Sequence, residues 1–378
     1  MSNYSIFLPS YSVGADCYKE IPYVTRKYGK SAVVIGGKTA MEKTKAEILK
    51  AIEGSEVEIL DFIWYGGDST YENIQLLKSN STVQKADMIF GVGGGRACDT
   101  VKTLASLEDK PFFTFPTLAS NCAACTAISV IYHVDGSFKE YAYLKAPSYH
   151  TFVNTKIIAN SPEKLLWAGI GDALSKECEV LFASRDKNLY HTPLMGISIS
   201  KMCTEPLLAY GKKALEDCKI NKPSFELEQV ALDIIISTGI VSNFVTHEAQ
   251  PDPKDNYYYN SSIAHCVYYG ASMLPACEKY LHGEIVSFGV LCLLTYDNQI
   301  EERNRIMEFN QRIGLPVTLS EIGITLKDLL IIAKKAASVV EWSYIPGTAS
   351  EDKFIQAMIE TDMVGKKLLE KEEKKIAV

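Results

Sequence analysis

Three residues of this chain carry the side chains of an open metal site. His265 ends the segment SIAH, His282 stands in LHGE, and Asp172 lies in the apolar stretch GIGDAL. A buried carboxylate without a partner is costly, so a cation is a natural partner for Asp172. One carboxylate and two imidazoles suit Zn²⁺ and leave a position for water or a substrate oxygen. Taken alone, either histidine is more often a hydrogen-bonded core residue than a metal ligand.

A glycine-rich segment, GVGGGRACD at 91–99, is the second feature that could do chemistry. It follows a predicted strand and opens a predicted helix, where glycines let the backbone approach a pyrophosphate and helix N–H groups bind it. The glycine order differs from G-x-G-x-x-G, which argues against an ordinary Rossmann domain. We therefore predict phosphate binding, with a tight turn that binds nothing as the alternative.

Alternating strands and helices must position this glycine segment. Apolar β-branched runs predict strands, and the stretches between them predict helices. The predicted strands are Ser31–Gly36, Val57–Ile63, Ala86–Val92 and Pro111–Pro116, and the predicted helices are Lys38–Glu53, Ile74–Ser79 and Asp99–Leu107. Parallel βαβ units bind ligands at the carboxyl ends of their strands, which places a site at Gly37, Gly93 and Thr117.

From about Pro162 onward the alternation gives way to long helical patterns. They are predicted at Glu163–Ser184, Pro193–Glu216, Glu226–Thr246, Asp255–Cys277, Glu284–Gln311 and Thr325–Ala336. Ser161-Pro162-Glu163 is typical of a helix start, with a capping hydroxyl, an early proline and an acid in the first turn. We therefore predict an α/β domain with a parallel sheet over 1–160 and an all-α domain over 161–378.

Composition excludes several classes of protein. The 378 residues are too many for a single core. With 39 Lys+Arg against 46 Asp+Glu, the chain has no basic footprint for nucleic acid or an anionic membrane. No signal peptide and no run of about 18 uninterrupted apolar residues is found. We expect a cytoplasmic protein that acts on small molecules, with its ten cysteines kept as thiols.

Taken together, the motifs resemble the iron-containing alcohol dehydrogenase superfamily, specifically its glycerol-dehydrogenase-like branch. The resemblance runs in order along nearly the whole chain and is carried by GVGGGRACDTVK, PTLASN with AISVIY, GIGDALSK, SIAH and LHGEIVSFG. It implies the dehydroquinate-synthase-like fold, with a dinucleotide-binding domain over 1–160, a helical metal-binding domain over 161–378, and a divalent metal in the cleft between them. It also implies a homo-oligomer, from dimer to octamer.

The resemblance places Asp172, His265 and His282 on the family's metal ligands, with the two histidines 17 positions apart as in that branch. Many iron-dependent members carry a further histidine four residues after the aspartate, where this chain has Lys176. A three-ligand zinc site is therefore favoured, and Fe, Ni or Mn stay open. By the same resemblance the cofactor is surrounded by Gly93, Gly94, Gly95, Asp99, Thr117, Ser120, Thr126, Ile128 and Tyr132.

Two departures from glycerol dehydrogenases refine the expectation. Where those enzymes end the first strand with an acid that binds the adenosine ribose, this chain has Gly37 and then Lys38. An acid repels a 2′-phosphate, so we expect NADP(H) to be favoured over NAD(H); alternatively, Gly37 only makes the turn. Cys122 stands where those enzymes place a polyol-binding Asp. Both changes resemble the superfamily's hydroxycarboxylate dehydrogenases.

The expected activity is hydride transfer between nicotinamide and a small 2-oxo acid or 2-hydroxy acid, with Cys122 in the substrate pocket and the metal polarising the carbonyl. Tyr132, Thr126 or a water chain could supply the proton, with Tyr269 a lesser candidate. Arg96 and Lys156 are candidates to bind the substrate carboxylate. The alternatives are a glycerol dehydrogenase that produces dihydroxyacetone, a dehydroquinate-synthase-like lyase, and a non-catalytic metal-binding protein.

Overall fold

The structure is a computed structural model that describes residues 5–247 and 256–376. The chain folds into two compact units, one of Met1–Leu166 with Lys213–Asn256 and one of Trp167–Lys212 with Tyr257–Val378. The first unit is thus larger than the domain predicted over 1–160, because a later stretch of chain returns to it. That a cofactor-binding domain and a metal-binding domain meet at residue 160 stays a prediction.

The first unit is built on a sheet and its helices. Residues 10–159 of this unit contain eight strands and six α-helices. In chain order these are β1 (Ser10–Val13), α1 (Ile21–Thr25), β2 (Ser31–Gly36), α2 (Lys38–Ile52), β3 (Glu58–Trp64), α3 (Tyr71–Lys78), α4 (Ser81–Lys85), β4 (Met88–Gly93), α5 (Gly95–Leu107), β5 (Phe112–Pro116), β6 (Ile128–Tyr132), β7 (Phe138–Tyr143), β8 (His150–Val153) and α6 (Thr155–Ala159).

Six strands form a parallel sheet in the order β1-β8-β5-β4-β2-β3, and β6 pairs with β7 in a separate antiparallel ribbon. Alternate residues of the parallel strands are buried on opposite faces, as Val34 and Phe90 are on one and Val33 and Ile89 are on the other. Because both faces of this parallel sheet are covered, its strands are buried on both sides, which explains the continuous apolar runs in the sequence. The predicted α/β class is confirmed.

The register brings the ends of neighbouring strands together. Gly36 lies beside Val92, and Gly93 lies beside Pro116. The Gly37 N–H donates to the Val92 carbonyl at 3.3 Å. The predicted positions after these strands therefore lie at one edge of the sheet, where ligands of parallel sheets bind.

The rest of the chain is mainly helical, as predicted. Its elements are α7 (Glu163–Ala173), α8 (Ser175–Ala183), α9 (His191–Ser200), α10 (Glu205–Lys219), α11 (Phe225–Leu232), a π-helical turn (Asp233–Ser237), α12 (Thr238–Val245), the short strands β9 (Thr246–His247) and β10 (Tyr257–Tyr258), α13 (Ile263–Ala271), α14 (His282–Tyr296), α15 (Ile300–Ile313), α16 (Leu329–Ala336) and α17 (Glu351–Ile376). The first residue of the predicted helix Asp255–Cys277 lies outside the described residues.

Residues 213–247 join the first unit through specific contacts. Helix α11 packs on α6, and α12 packs on the turn Ala123–Cys125. The Asn243 side chain donates to the Cys125 carbonyl at 2.9 Å and accepts from the Ala127 N–H at 2.8 Å. These polar contacts and the helix packing explain why this stretch belongs with the sheet.

One helical stretch, 225–245, is long and apolar enough to cross a membrane by those two criteria. It comprises α11, the π-helical turn and α12. In the structure 72% of its most apolar window is buried inside the protein. Burial of this kind is typical of a core helix.

Candidate active site

The structure brings Asp172, His265 and His282 together within the second unit. One possible ligand atom from each residue lies within 4.8 Å of the other two. The His282 Nε2 is 3.1 Å from the Asp172 Oδ1, and the His265 Nε2 is 3.8 Å from the same oxygen. The three side chains come from α7, α13 and α14 and are all partly exposed. Two imidazole nitrogens and a carboxylate oxygen thus converge on one point.

Glycine contacts between helices explain how Asp172 meets His282. A Cβ at Gly283 would lie 1.8 Å from the carbonyl oxygen of Ala168, and one at Gly171 would lie 2.4 Å from the carbonyl oxygen of Gly283. Helices α7 and α14 are therefore in backbone contact at the residues beside the two side chains. Gly171, which directly precedes Asp172 in GIGDAL, thus makes room for the neighbouring helix.

A second glycine contact places α13 against α14. A Cβ at Gly289 would lie 2.4 Å from the carbonyl oxygen of Ala264. Ala264 directly precedes His265, so this contact fixes the position of the helix that carries the second imidazole. Small residues at helix crossings thus hold all three side chains in place.

Glu179 is the residue that the sequence analysis missed. Its fully buried carboxylate lies on α8, with Oε2 2.6 Å from the His265 Nδ1. Oε1 accepts from the backbone N–H of Ser262 at 2.7 Å and of His265 at 3.0 Å. Glutamate is common on helices, and its only sequence signal is its position seven residues after Asp172.

The carboxylates and imidazoles of this cluster shift one another's pKa values. Burial raises the pKa of the Asp172 carboxyl, but His282 and His265 lower it more, and it lies below its ordinary value. Burial also raises the pKa of the Glu179 carboxyl, but His265 and backbone N–H groups lower it more, so that it lies below its ordinary value. Burial lowers the pKa of His265, whereas Glu179 and Asp172 raise it above its ordinary value. The two carboxylates therefore favour a positive charge at this cluster.

Two further side chains complete the surroundings of the cluster. The Lys176 Nζ is buried and donates to the Asn260 Oδ1 at 2.6 Å. An ammonium group is a donor without a lone pair, so Lys176 in this state is no metal ligand. The Tyr268 ring packs edge-on against the His282 ring, with centroids 4.2 Å apart. The donor set is thus two imidazoles and one carboxylate, which fits a divalent metal.

The glycine segment forms a tight turn between β4 and α5. Gly93 has a φ of +145°, which favours glycine, and a Cβ on it would lie 2.9 Å from the Ala97 Cβ. A Cβ on Gly95 would lie 2.8 Å from the Asn121 Nδ2. Helix α5 starts at Gly95 without a side-chain cap. Its first N–H groups therefore remain available to an anion, as a pyrophosphate site requires.

Asp99 is buried below this turn. It pairs with the buried Lys102 at 2.8 Å. Burial raises the pKa of the Asp99 carboxyl above its ordinary value although Lys102 opposes the shift. The Lys102 Nζ also donates to the Thr126 Oγ1 at 3.1 Å and to the Ile128 carbonyl. Asp99 and Thr126 thus fix the loop beside β6, and their contact with a cofactor stays a prediction.

Comparison with known proteins identifies the family. The model for iron-containing alcohol dehydrogenases matches residues 9–153. A glycerol dehydrogenase of Thermotoga maritima is 32% identical over 286 residues, covering 72% of this chain and 73% of that protein. The chain belongs to the iron-containing alcohol dehydrogenase family. It is therefore an oxidoreductase, and the family implies a metal ion and a nicotinamide cofactor.

Two further proteins resemble this chain. Hydroxycarboxylate dehydrogenase A of Escherichia coli is 29% identical over 330 residues, covering 86% of this chain and 85% of that protein. The crystal structure of glycerol dehydrogenase from Schizosaccharomyces pombe is similar in fold, with a TM-score of 0.85 and 22% identity, covering 99% of this chain and 94% of that chain. The predicted superfamily and its glycerol-dehydrogenase-like branch are confirmed.

The two residues that the sequence predicts to depart from this branch lie in the first unit. Cys122 is half-buried and directly precedes the turn Ala123–Cys125. Gly37 is the N-cap residue of α2, and Lys38 is exposed with its Nζ 4.6 Å from the centre of the Trp64 ring. No acidic side chain occupies either position in this member of the iron-containing alcohol dehydrogenase family.

The predicted cations for a substrate carboxylate already have carboxylate partners. Arg96 contacts Asp68 at 2.7 Å and lies over the Tyr132 ring at 4.6 Å, and Lys156 contacts Glu47 at 3.3 Å. Among the other predicted cofactor residues, Thr117 is buried and hydrogen-bonds through its N–H to the Gly93 carbonyl at 3.2 Å. Ser120, Ile128 and Tyr132 are half-buried.

Proposed function

We propose that this chain is a metal-dependent NAD(P)(H) oxidoreductase that interconverts a small alcohol and its carbonyl compound, with polyols of the glycerol type as the leading substrate class. The convergence of Asp172, His265 and His282 carries this proposal. The glycerol dehydrogenase of Thermotoga maritima supports the polyol alternative more strongly than the relatives support the expected 2-oxo acid chemistry. The order of these two predictions is therefore reversed.

Asp172, His265 and His282 would hold the metal, one ligand atom from each. When bound, a divalent metal ion polarises a substrate oxygen and stabilises the negative charge that develops there. The side chains prepare this function: Asp172 supplies negative charge, and Glu179 orients the ring of His265. Zn²⁺ is our first choice because three nitrogen and oxygen ligands with an open position are typical of catalytic zinc.

The glycine turn of the first unit would hold the cofactor. The uncapped start of α5 suits a pyrophosphate, and Gly37 leaves room beside the adenosine ribose. Lys38 lies over Trp64 at the ends of β2 and β3, where a 2′-phosphate could accept from its ammonium. These residues support NADP(H) over NAD(H) as the cofactor. Cytoplasmic location and assembly into a homo-oligomer are further parts of this proposal.

Reduction of 2-oxo acids is the second candidate, and Cys122 favours it. Without an acid at this position, nothing there repels a substrate carboxylate or binds polyol hydroxyls. The proton donor also stays a proposal, with Tyr132 as the first candidate; the Thr126 hydroxyl contacts the Ile128 carbonyl at 3.2 Å. The lyase alternative needs a basic pocket, whereas Arg96 and Lys156 are paired with carboxylates.

Absorbance at 340 nm tests the activity and ranks the substrates. The chelator-treated protein is supplied with Zn²⁺ and either NADP⁺ or NAD⁺, and glycerol is compared with 2-hydroxybutyrate. We expect zinc-dependent turnover, faster with glycerol and with NADP⁺. Faster turnover of 2-hydroxybutyrate would promote the second candidate. Absence of turnover in both directions, with dihydroxyacetone and 2-oxobutyrate as the reverse substrates, would contradict the proposed function.

A further inference from the structure

We propose that Glu179 is a positioning residue that keeps the proton of the His265 ring on Nδ1 and leaves Nε2 as the metal-binding nitrogen. This inference rests on the proposed function, because it assigns a role toward the metal of the same site. Among the described residues, Glu179 makes no hydrogen bond to Asp172 or His282. Its action therefore runs through His265 alone.

The hydrogen-bond donors around Glu179 determine the tautomer. Oε1 already accepts from two backbone N–H groups, those of Ser262 and His265. Oε2 lies 2.6 Å from the His265 Nδ1. A carboxylate only accepts hydrogen bonds, so the Nδ1 must be the donor. A neutral imidazole carries one N–H, and the lone pair is therefore on Nε2, the nitrogen that faces Asp172.

The position of Glu179 at a helix start keeps it in the accepting, charged form. Helix α13 begins at Ile263, and its N-cap residue Ser262 makes no side-chain cap. Oε1 instead satisfies two of the N–H groups at this helix start, where the positive end of the helix favours a negative charge. One buried carboxylate thus caps α13 and orients the ring that α13 carries. Hydrogen-bonding partners of metal-binding histidines commonly act in this way.

Glu179→Gln separates the positioning role from a merely structural one. The glutamine oxygen can keep the two backbone hydrogen bonds and so preserve the helix cap. Its NH₂ group then faces the His265 Nδ1, which must accept, and the ring proton moves to Nε2. We expect the Zn²⁺ affinity, measured by competition with a chromophoric chelator, to fall about 10- to 100-fold. The melting temperature of the metal-free protein should change little.

Glu177→Gln is the matched control, because Glu177 lies on the same helix and hydrogen-bonds to the Thr204 side chain. We expect this variant to bind Zn²⁺ with wild-type affinity. Equal Zn²⁺ affinities of the wild type and Glu179→Gln would overturn the inference. If the wild type itself bound no Zn²⁺, the proposed function would fail instead.

The tautomer can also be measured without any change at Glu179. Long-range ¹H–¹⁵N spectra of histidine-labelled wild type distinguish a protonated Nδ1 from a protonated Nε2, and His265→Gln identifies the signals of residue 265. We expect the Nδ1 to carry the proton in zinc-loaded protein and in the neutral ring of metal-free protein. A proton on Nε2 in the neutral ring would overturn the inference even if Glu179→Gln failed to fold.

Discussion

At the scale of single residues, we propose Cys122 as the position that separates the two substrate classes. It is half-buried and directly precedes the turn Ala123–Cys125, against which α12 packs, with Gly239 allowing the close approach. The family resemblance implies that a carboxylate here would lie beside a bound substrate. Its negative charge would then repel anionic substrates but not neutral polyols.

Cys122→Asp should therefore raise the ratio of specificity constants for dihydroxyacetone over 2-oxobutyrate. Two negative charges about 4 to 6 Å apart repel by roughly 3 kcal/mol at an effective dielectric constant near 20, which is about two orders of magnitude in this ratio. Steady-state kinetics with both substrates measure it, and general damage to the enzyme cancels. Cys122→Asn is the uncharged control; an equal change in both variants would exclude charge as the cause.

Gly37 is the residue from which the cofactor preference can be tested. It has an extended backbone and is the N-cap of α2, and a Cβ here would meet nothing closer than 3.8 Å. Gly37→Asp should therefore fold and cap the helix, while weakening NADPH about tenfold relative to NADH through repulsion of the 2′-phosphate. Fluorescence titration with each cofactor measures the effect. Gly37→Asn caps without charge, and an unchanged NADPH/NADH ratio in Gly37→Asp would refute the assignment.

We expect His150 to make the stability of the first unit depend on pH. Burial lowers its pKa to about 4, and its ring nitrogens contact the Ser10 Oγ at 2.7 Å and the Ser12 Oγ at 2.9 Å. Because the unfolded chain binds this proton below about pH 6.5 and the folded one only near pH 4, stability falls as the pH drops through this window. The loss is about 2 kcal/mol between pH 7 and 5.

His150→Gln should remove this dependence, since glutamine can hydrogen-bond to both serines and does not titrate in this range. Unfolding by urea at pH 7 and pH 5 compares the two proteins. The wild type should lose about 2 kcal/mol more than the variant between these pH values. Equal losses would show that His150 is not the group responsible.

At the scale of elements, the close crossing of α7 and α14 assembles the metal ligands. Gly283→Ala would place a Cβ 1.8 Å from a backbone oxygen, so the two helices must move apart. We expect a loss of stability of several kcal/mol, as for other forced overlaps, and a fall in Zn²⁺ affinity because Asp172 and His282 separate. Melting temperature and zinc titration measure both effects.

Gly211→Ala is the control for this crossing. The three atoms nearest to its Cβ would be side-chain atoms of Phe309 and Ile170, the closest at 3.0 Å. We expect a smaller loss of stability and unchanged Zn²⁺ affinity. If Gly283→Ala bound Zn²⁺ as tightly as Gly211→Ala, the crossing would not be what positions the ligands.

The elements also show what periodicity can predict. Ser31–Gly36 forms β2 as expected, because a continuous apolar run bounded by glycine is typical of a buried parallel strand. The short strands β1 and β8 were missed, since four residues carry little pattern. The helix predicted over Glu284–Gln311 is broken where Asn298 adopts a φ of +58°. Such a break depends on the tertiary fold, and the spacing of the apolar residues does not reveal it.

At the scale of the whole molecule, the two compact units divide the proposed chemistry. The first contains the sheet edge and the glycine turn, and the second contains Asp172, His265, His282 and Glu179. The family model matches only within the first. The order of the motifs could predict both sites, whereas Glu179 and the glycine crossings could not be predicted, because they depend on which helices touch.

The proposed function depends most directly on the binding of one catalytic metal ion by Asp172, His265 and His282. X-ray diffraction above and below the zinc absorption edge, from crystals grown with Zn²⁺, tests it most directly. We predict one strong anomalous peak per chain, about 2.0 to 2.2 Å from a nitrogen of each histidine and an oxygen of the aspartate, which disappears in His282→Ala. A peak elsewhere, or none at these three residues, would contradict the assignment of the site.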